Sequence, residues 1–501
     1  MNLADTLARR AASTPSHPAI LFEQAELSYR DLDAAASRLA HALQAHGIAA
    51  GDRVALFLPN IPEFAIVYYA TQKIGAVPVS INAIFKTAEV EYLLNDSGSK
   101  AVFTVAELAQ FVPRERCPAV RHVVICEGKA EAAAASLADW SAGRPGSFDA
   151  VDCAPDAPAA LLYSSGTTGF PKGVTLTQAN IASNTASAAK YSGYRSDDRL
   201  AVFLPLFHVY GQNYILNAAV LAGATVVLFR RFVPDQVLAA IQQHRITMFF
   251  GVPTIFIALL SMDLSAYDLS SIRYEMSAAA TMPEEISRRW SERFGRRIYE
   301  GYGLTECSPF ACYNDLVEHR FGSVGRAVEG FTLAIFDEND REVPRGEWGE
   351  IVIRGPGVMK GYWNRPAETE TALRAGWLHS GDIGRMDDDG YVFIVDRVKD
   401  MINVSGFKVW PAEVEQYLYK LPQVQEVAVY GAPHAEKGEQ VFTAIVPKPG
   451  QPLTAEAVIA YCQANIAAYK VPARVDIVAE LPKSPTGKIL KRVLRDQAGQ
   501  P

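Results

Sequence analysis

Tyr163-Ser164-Ser165-Gly166-Thr167-Thr168-Gly169-Phe170-Pro171-Lys172-Gly173 is the stretch from which the rest of the chain is best read. It follows an apolar run, residues 159–163, with the length and character of a buried strand. Gly166, Gly169 and Gly173 let the backbone take positive φ and come close to a ligand. The hydroxyls of Ser164, Ser165, Thr167 and Thr168, with successive backbone N–H groups, make a nest for an anion, and Lys172 adds a full positive charge. A polyphosphate calls for that combination. The spacing is not that of a G-x-x-x-x-G-K-[ST] loop, because Pro171 and Gly173 stand where that pattern fails. A strand, a loop and a lysine in ordered succession also argue against a mere flexible turn.

Working outward, short apolar runs at 54–58, 101–105, 122–126, 225–229 and 247–250 read as buried strands, and 64–74 and 234–244 carry helical spacing. This alternation predicts α/β layers with parallel strands. Beyond about residue 330 the pattern changes. Residues 333–337 and 350–354 read as strands between polar turns, and 383–386 and 391–395 flank the hairpin signal Asp387-Asp388-Asp389-Gly390. The end of the chain is compact and more charged, with helices expected at 411–420 and 454–467 and strands at 424–430 and 440–446. The expected fold class is α/β. A large multi-layer N-terminal domain (1–396), made of α/β subdomains and a β-rich subdomain, is followed by a small mobile α+β C-terminal domain (397–501).

The bulk properties exclude several classes. The chain has 501 residues, a net charge of −7 and a pI near 5.8, so a nucleic-acid partner has no basic face to meet. The six cysteines (117, 126, 153, 307, 312 and 462) contain no C-x-x-C pair and read as free thiols in a reducing compartment, which predicts a cytoplasmic protein. The first residues lack the continuous apolar core of a signal peptide and suit a short amphipathic helix through Leu3, Leu7 and Ala11. Residues 214–229, broken by Asn217, fall short of the ~20 residues that span a bilayer and read as a buried helix-turn-strand, so no transmembrane segment is expected.

The phosphate-type loop resembles the signature of the adenylate-forming superfamily, which comprises acyl-CoA synthetases, luciferases and the adenylation domains of peptide synthetases. Further motifs of that superfamily stand in the same order: Phe207-His208-Val209-Tyr210-Gly211, Gly301-Tyr302-Gly303-Leu304-Thr305-Glu306, Ser380-Gly381-Asp382, Asp396-Arg397-Val398-Lys399-Asp400 and Pro485-Thr486-Gly487-Lys488. Six motifs in register across nearly the whole chain make the resemblance specific. It implies ATP as co-substrate, with Ser164–Gly169, Lys172, Ala279 and Gly303 around the nucleotide. Tyr302 offers a flat face to adenine, Thr305 a hydroxyl to phosphate, and Glu306 a carboxylate to Mg²⁺, which binds through few carboxylates plus substrate phosphates. Asp382 would accept the ribose hydroxyls and Arg397 would contact ribose or phosphate. His208 would border the carboxylic acid substrate. Lys488 would reach the carboxylate and α-phosphate, where an ammonium stabilises the charge built as one anion attacks another.

The resemblance further implies a second step, in which the small domain turns about Lys399, withdraws Lys488 and brings Gly406 and Lys408 to the site for coenzyme A. The motifs look most like those of medium- and long-chain fatty acyl-CoA synthetases. Ala278 and Phe310 add bulk near the expected acyl path and admit a shorter, branched, cyclic or aryl acid. An acyl carrier protein is the other acceptor the resemblance allows; a homodimer is compatible with the sequence, which does not reveal the oligomeric state.

Overall fold

The computed structural model describes residues 1–130, 134–164, 171–314, 318–397, 400–434, 436–484 and 487–498. Two large sheets carry the α/β part. One has eight strands in the order Gly361–Tyr362, Lys172–Thr177, Pro158–Ser164, Val77–Ser80, Arg53–Phe57, Ala101–Val105, His122–Glu127 and Ala135–Ser136. From Pro158–Ser164 to Ala135–Ser136 neighbouring strands run parallel, and they are short and apolar, as strands covered on both faces are. Pro158–Ser164 and Lys172–Thr177 pair antiparallel on either side of the glycine-rich loop, with Ser164 opposite Lys172.

The second sheet has nine strands. From one edge they are Arg326–Ala327, Cys312–Tyr313, Ile298–Tyr302, Tyr274–Ser277, Met248–Gly251, Arg199–Val202, Thr225–Leu228, Pro18–Phe22 and Ala25–Ser28. Its centre is parallel, and the turn from Ile298–Tyr302 into Cys312–Tyr313 is antiparallel. That turn holds the Gly301–Glu306 motif at the carboxyl end of a parallel strand, where open α/β sheets bind their ligands.

A four-stranded antiparallel sheet follows: Thr332–Phe336, Gly349–Arg354, Leu378–Met386 and Val392–Arg397. Asp382 lies within its third strand and faces Arg397 of the fourth in register. After residue 400 the chain builds a separate sheet from Phe407–Val409, Ile402–Val404, Gly438–Pro447 and Val424–His434, with Arg474–Ile477 parallel to Gly438–Pro447. The helices Pro411–Leu418, Ala455–Asn465 and Lys491–Ala498 accompany it. The expected α/β class, with a β-rich unit and a small α+β unit after it, is the architecture found.

The apolar stretch 214–229 resolves into π-helical turns at Tyr210–Asn217, a short helix Ala218–Ala222 and the strand Thr225–Leu228, with Gly223 left-handed at φ 79° between helix and strand. Among the described residues no helix is long and apolar enough to cross a membrane. The amino-terminal helix runs Ala4–Ser13 and buries Ala4 and Leu7. All six cysteines are free thiols.

Candidate active site

The site lies where the carboxyl ends of the two large sheets meet the four-stranded sheet and the hairpin carrying Lys488. Ser164 ends the strand before the glycine-rich loop, and its hydroxyl donates to Glu306 Oε1 at 3.0 Å. The Tyr362 hydroxyl donates to the same oxygen at 2.9 Å, and Lys172 lies over the Tyr362 ring, 5.1 Å from its centroid. Glu306 is buried, on a 3₁₀ turn, Thr305–Cys307, that also presents Thr305. Two hydroxyls on Oε1 fix the carboxylate's direction, and among the described residues Oε2 receives no hydrogen bond. No group of three or more His, Cys, Asp or Glu that could hold a metal occurs among the described residues. Any Mg²⁺ held here would take one protein carboxylate, Glu306, and complete its shell with substrate oxygens, a donor set that suits this ion.

A second cluster faces the first. The Tyr302 hydroxyl donates to Asp382 Oδ2 at 2.7 Å, and Arg397 Nε donates to Asp382 Oδ1 at 3.0 Å. Burial pushes the Tyr302 phenol well above its ordinary range, and the Asp382 charge adds to this, so the ring stays neutral and a donor. The backbone around Tyr302 is close-packed. A Cβ on Gly303 would lie 1.5 Å from the Pro309 carbonyl oxygen, so this turn admits no side chain there. Ala279 sits exposed at φ 69°, a conformation that costs a non-glycine residue energy and clusters at functional sites.

The third element is the meeting of His208 and Lys488. His208 Nδ1 accepts the backbone N–H of Tyr210 at 3.2 Å, which leaves the proton on Nε2. Desolvation and the nearby Lys488 charge lower the imidazole to about 4, so it is neutral at pH 7. Lys488 is in contact with solvent, and Arg397, Asp382, Asp400 and Lys491 stand near enough to act on its charge. Desolvation and then Arg397 push its ammonium below the ordinary value, against the pull of Asp382 and Asp400. His208, Arg397, Asp382 and Lys488 therefore share one electrostatic neighbourhood, although they come from positions 280 residues apart.

Other expected residues lie elsewhere. Gly406 and Lys408 sit on the hairpin Ile402–Val404/Phe407–Val409. Gly406 is at φ 87° in open space, and Lys408 pairs with Glu338 at 3.2 Å. Ser165, Gly166, Thr167, Thr168, Gly169 and Lys399 fall outside the described residues. Tyr362 was not foreseen. It reaches Glu306 because Gly361–Tyr362 pairs with Lys172–Thr177, a long-range pairing that no local pattern announces.

Comparison with known proteins supplies the family. Its model, described as AMP-binding enzyme, matches residues 7–363, and the model of the AMP-binding enzyme C-terminal domain matches 413–488. A long-chain-fatty-acid–CoA ligase of Bacillus subtilis is 35% identical over 99% of this chain and 94% of its own length. A feruloyl-CoA synthase of an Amycolatopsis species is 36% identical over 98% of both. Among solved structures, the anthranilate CoA ligase AuaEII in complex with anthranoyl-AMP superposes with a TM-score of 0.94 at 30% identity, covering 100% of this chain and 97% of that one. The chain belongs to the AMP-binding enzyme family. The expected place in the adenylate-forming superfamily, and ATP as the nucleotide, hold with it.

Proposed function

We propose that the protein is an ATP-dependent acid–thiol ligase, an AMP-forming acyl-CoA synthetase acting on a medium- or long-chain fatty acid, in two steps. In the first, a carboxylate oxygen attacks the α-phosphorus of ATP, the bond to the β-phosphate oxygen breaks, and acyl-AMP and pyrophosphate form. In the second, the sulfur of coenzyme A attacks the acyl carbon, losing its proton, and AMP leaves. The observation that carries the reading is the convergence of Lys488, Arg397 and Asp382 around the neutral His208. A positive charge is thereby aimed where the first step concentrates negative charge. Asp382 would bracket the ribose, with Tyr302 and Arg397 fixing its two oxygens. Ser164, Lys172, Thr305 and the loop 165–169 would hold the phosphates. Mg²⁺ at Glu306 would neutralise charge on the leaving pyrophosphate. His208, as a neutral Nε2–H donor, would orient the carboxylate.

The chain divides in this reading at 396/397. The second step needs the small domain to turn near Lys399, so that Gly406 and Lys408 replace Lys488. The free thiols support a cytoplasmic setting. A compact aryl, cyclic or branched acid is the second reading. It is favoured by the likeness to the feruloyl-CoA synthase and to the anthranilate CoA ligase. The deciding experiment is a panel of acids, from short to long chain plus aryl and cyclic ones, assayed for pyrophosphate release with and without CoA. Continuous turnover with CoA on alkyl acids is the expected result. Turnover that stays single-round despite CoA would favour an acyl carrier protein as acceptor, and no release with any acid would refute the activity.

A further inference from the structure

Lys488 rides on a self-contained hairpin. Lys483 bridges Ile489, the Ser484 and Lys488 backbones bond at 2.8 Å, and Gly487 N–H donates to the Ser484 carbonyl at 2.8 Å. The large part of the chain grips this hairpin on both sides of Lys488. On one side, the Thr254 hydroxyl, in the first turn of helix Pro253–Leu260, donates to the Gly487 carbonyl at 3.0 Å. Gly487 itself is left-handed at φ 78°, and a Cβ there would stand 2.8 Å from Val252 Cγ2 and 3.0 Å from Thr254 Oγ1. The hairpin seats against 252–254 only with bare backbone. On the other side, Lys491 reaches Asp396 at 3.5 Å and Glu415 at 2.9 Å. Asp396 also accepts the Ala412 backbone N–H at 3.1 Å, at the start of helix Pro411–Leu418.

We propose that Thr254 and Asp396 are positioning residues which hold the Lys488 hairpin in place for the first half-reaction and let it go for the second. This rests on the two-step reading above. Both residues precede residue 397, and the Gly487, Lys491 and Ala412 groups they hold follow residue 400, so a turn about Lys399 would break these contacts as it withdraws Lys488 from His208. Each acts within four residues of Lys488, so the hairpin is pinned at 487 and 491 with the reacting ammonium between. Release is also built in. Glu415 belongs to the same unit as Lys491, so when Asp396 is left behind Lys491 keeps a carboxylate. A buried ammonium orphaned by the swing would oppose it. The Thr254 bond is a single neutral one, strong enough to bias the arrangement and too weak to lock it.

The test separates the half-reactions. In single turnovers, Thr254→Val and Asp396→Asn should each slow acyl-AMP formation, read as pyrophosphate release without CoA, by about three- to tenfold, the scale of one or two hydrogen bonds. Thioester formation from supplied acyl-AMP and CoA should be unchanged or faster, and Thr254→Ser should restore the first step. An equal fall in both steps, or an unaltered first step at unchanged melting temperature, overturns the proposal. Hydrogen exchange on the unliganded protein gives a readout that needs no catalysis. Thr254→Val should raise exchange at 487–491 and leave Ile298–Tyr302 untouched, and equal exchange in both proteins overturns the proposal as well. If wild-type protein activates no acid, the two-step reading fails, and the exchange result still judges the grip on the hairpin.

Discussion

Lys488 and Glu300 both owe their chemistry to partial removal from water, with opposite consequences. Desolvation weakens the hold of Lys488 on its proton, and the residue stands where the first step builds negative charge. Lys488→Ala should therefore cut acyl-AMP formation at least about a hundredfold, the scale of losing one preorganised donor at a developing anion. Thioester formation from supplied acyl-AMP should survive largely intact in single-turnover assays, and an equal loss of both steps in a folded variant would refute the assigned role. Glu300, one strand position from Gly301, is buried, and its Oε1 finds no partner among the described residues. Burial raises its carboxyl from 4.5 to about 8. Between those values the folded chain holds a proton that the unfolded chain has released, so Glu300 lowers stability as pH rises, by about 1.4 kcal/mol per unit. Below and above that window its slope vanishes. His208 works the other way. Its lowered value makes stability fall as pH drops from 6.5 towards 4, because the unfolded imidazole takes the proton first. Urea midpoints between pH 5 and 8 should fall less steeply with pH in Glu300→Gln than in wild type, and an unchanged slope would refute the buried acid.

At the level of elements, the strand Ile298–Tyr302 and its turn into Cys312–Tyr313 set the tightest constraint on the site. Gly303→Ala would force a methyl group into the Pro309 carbonyl, so the turn must open. A loss of about 3 kcal/mol or more is expected by denaturant unfolding, with weakened ATP binding, and a stable variant would show the turn to be looser than its packing implies. Much of this architecture was legible in the sequence. Ala101–Val105 and Pro234–His244 fall where apolar spacing puts them, and the motif at 301–306 pointed to the turn. What local pattern could not give has physical causes. The strand Tyr274–Ser277 hides because Glu275 breaks its apolar run, and the charge is tolerated only through Trp290 at 2.7 Å and Arg296 at 3.1 Å. The π-helical turns at Tyr210–Asn217 share the composition of an ordinary buried helix. Tyr362 at Glu306 and Thr254 at Gly487 arise from contacts between segments 56 and 233 residues apart. The motifs named the groups that would do chemistry, and were silent about the groups that hold them.

Across the whole molecule, the contacts between the large part and the residues after 400 differ in strength from one edge to the other. Near Lys488 they are partly buried and combine charge with backbone bonding. At the far edge, Lys408 and Glu338 meet with both side chains largely exposed, a pair worth well under about 1 kcal/mol in water. Glu338→Ala should accordingly shift the unfolding midpoint by less than about 0.5 kcal/mol, and a larger drop would mean the edge is a real fastening. Such asymmetry lets the exposed hairpin of Gly406 and Lys408 leave its resting place at little cost. The helix Pro411–Leu418, capped from across the boundary by Asp396, begins immediately after Trp410. Trp410 is the sole tryptophan beyond residue 396, the other five lying at 140, 290, 348, 363 and 377. The difference in emission between the chain and its Trp410→Phe variant isolates that one indole and becomes an optical gauge of the boundary, able to time each opening and closing of the small unit in a stopped-flow trace without any dye.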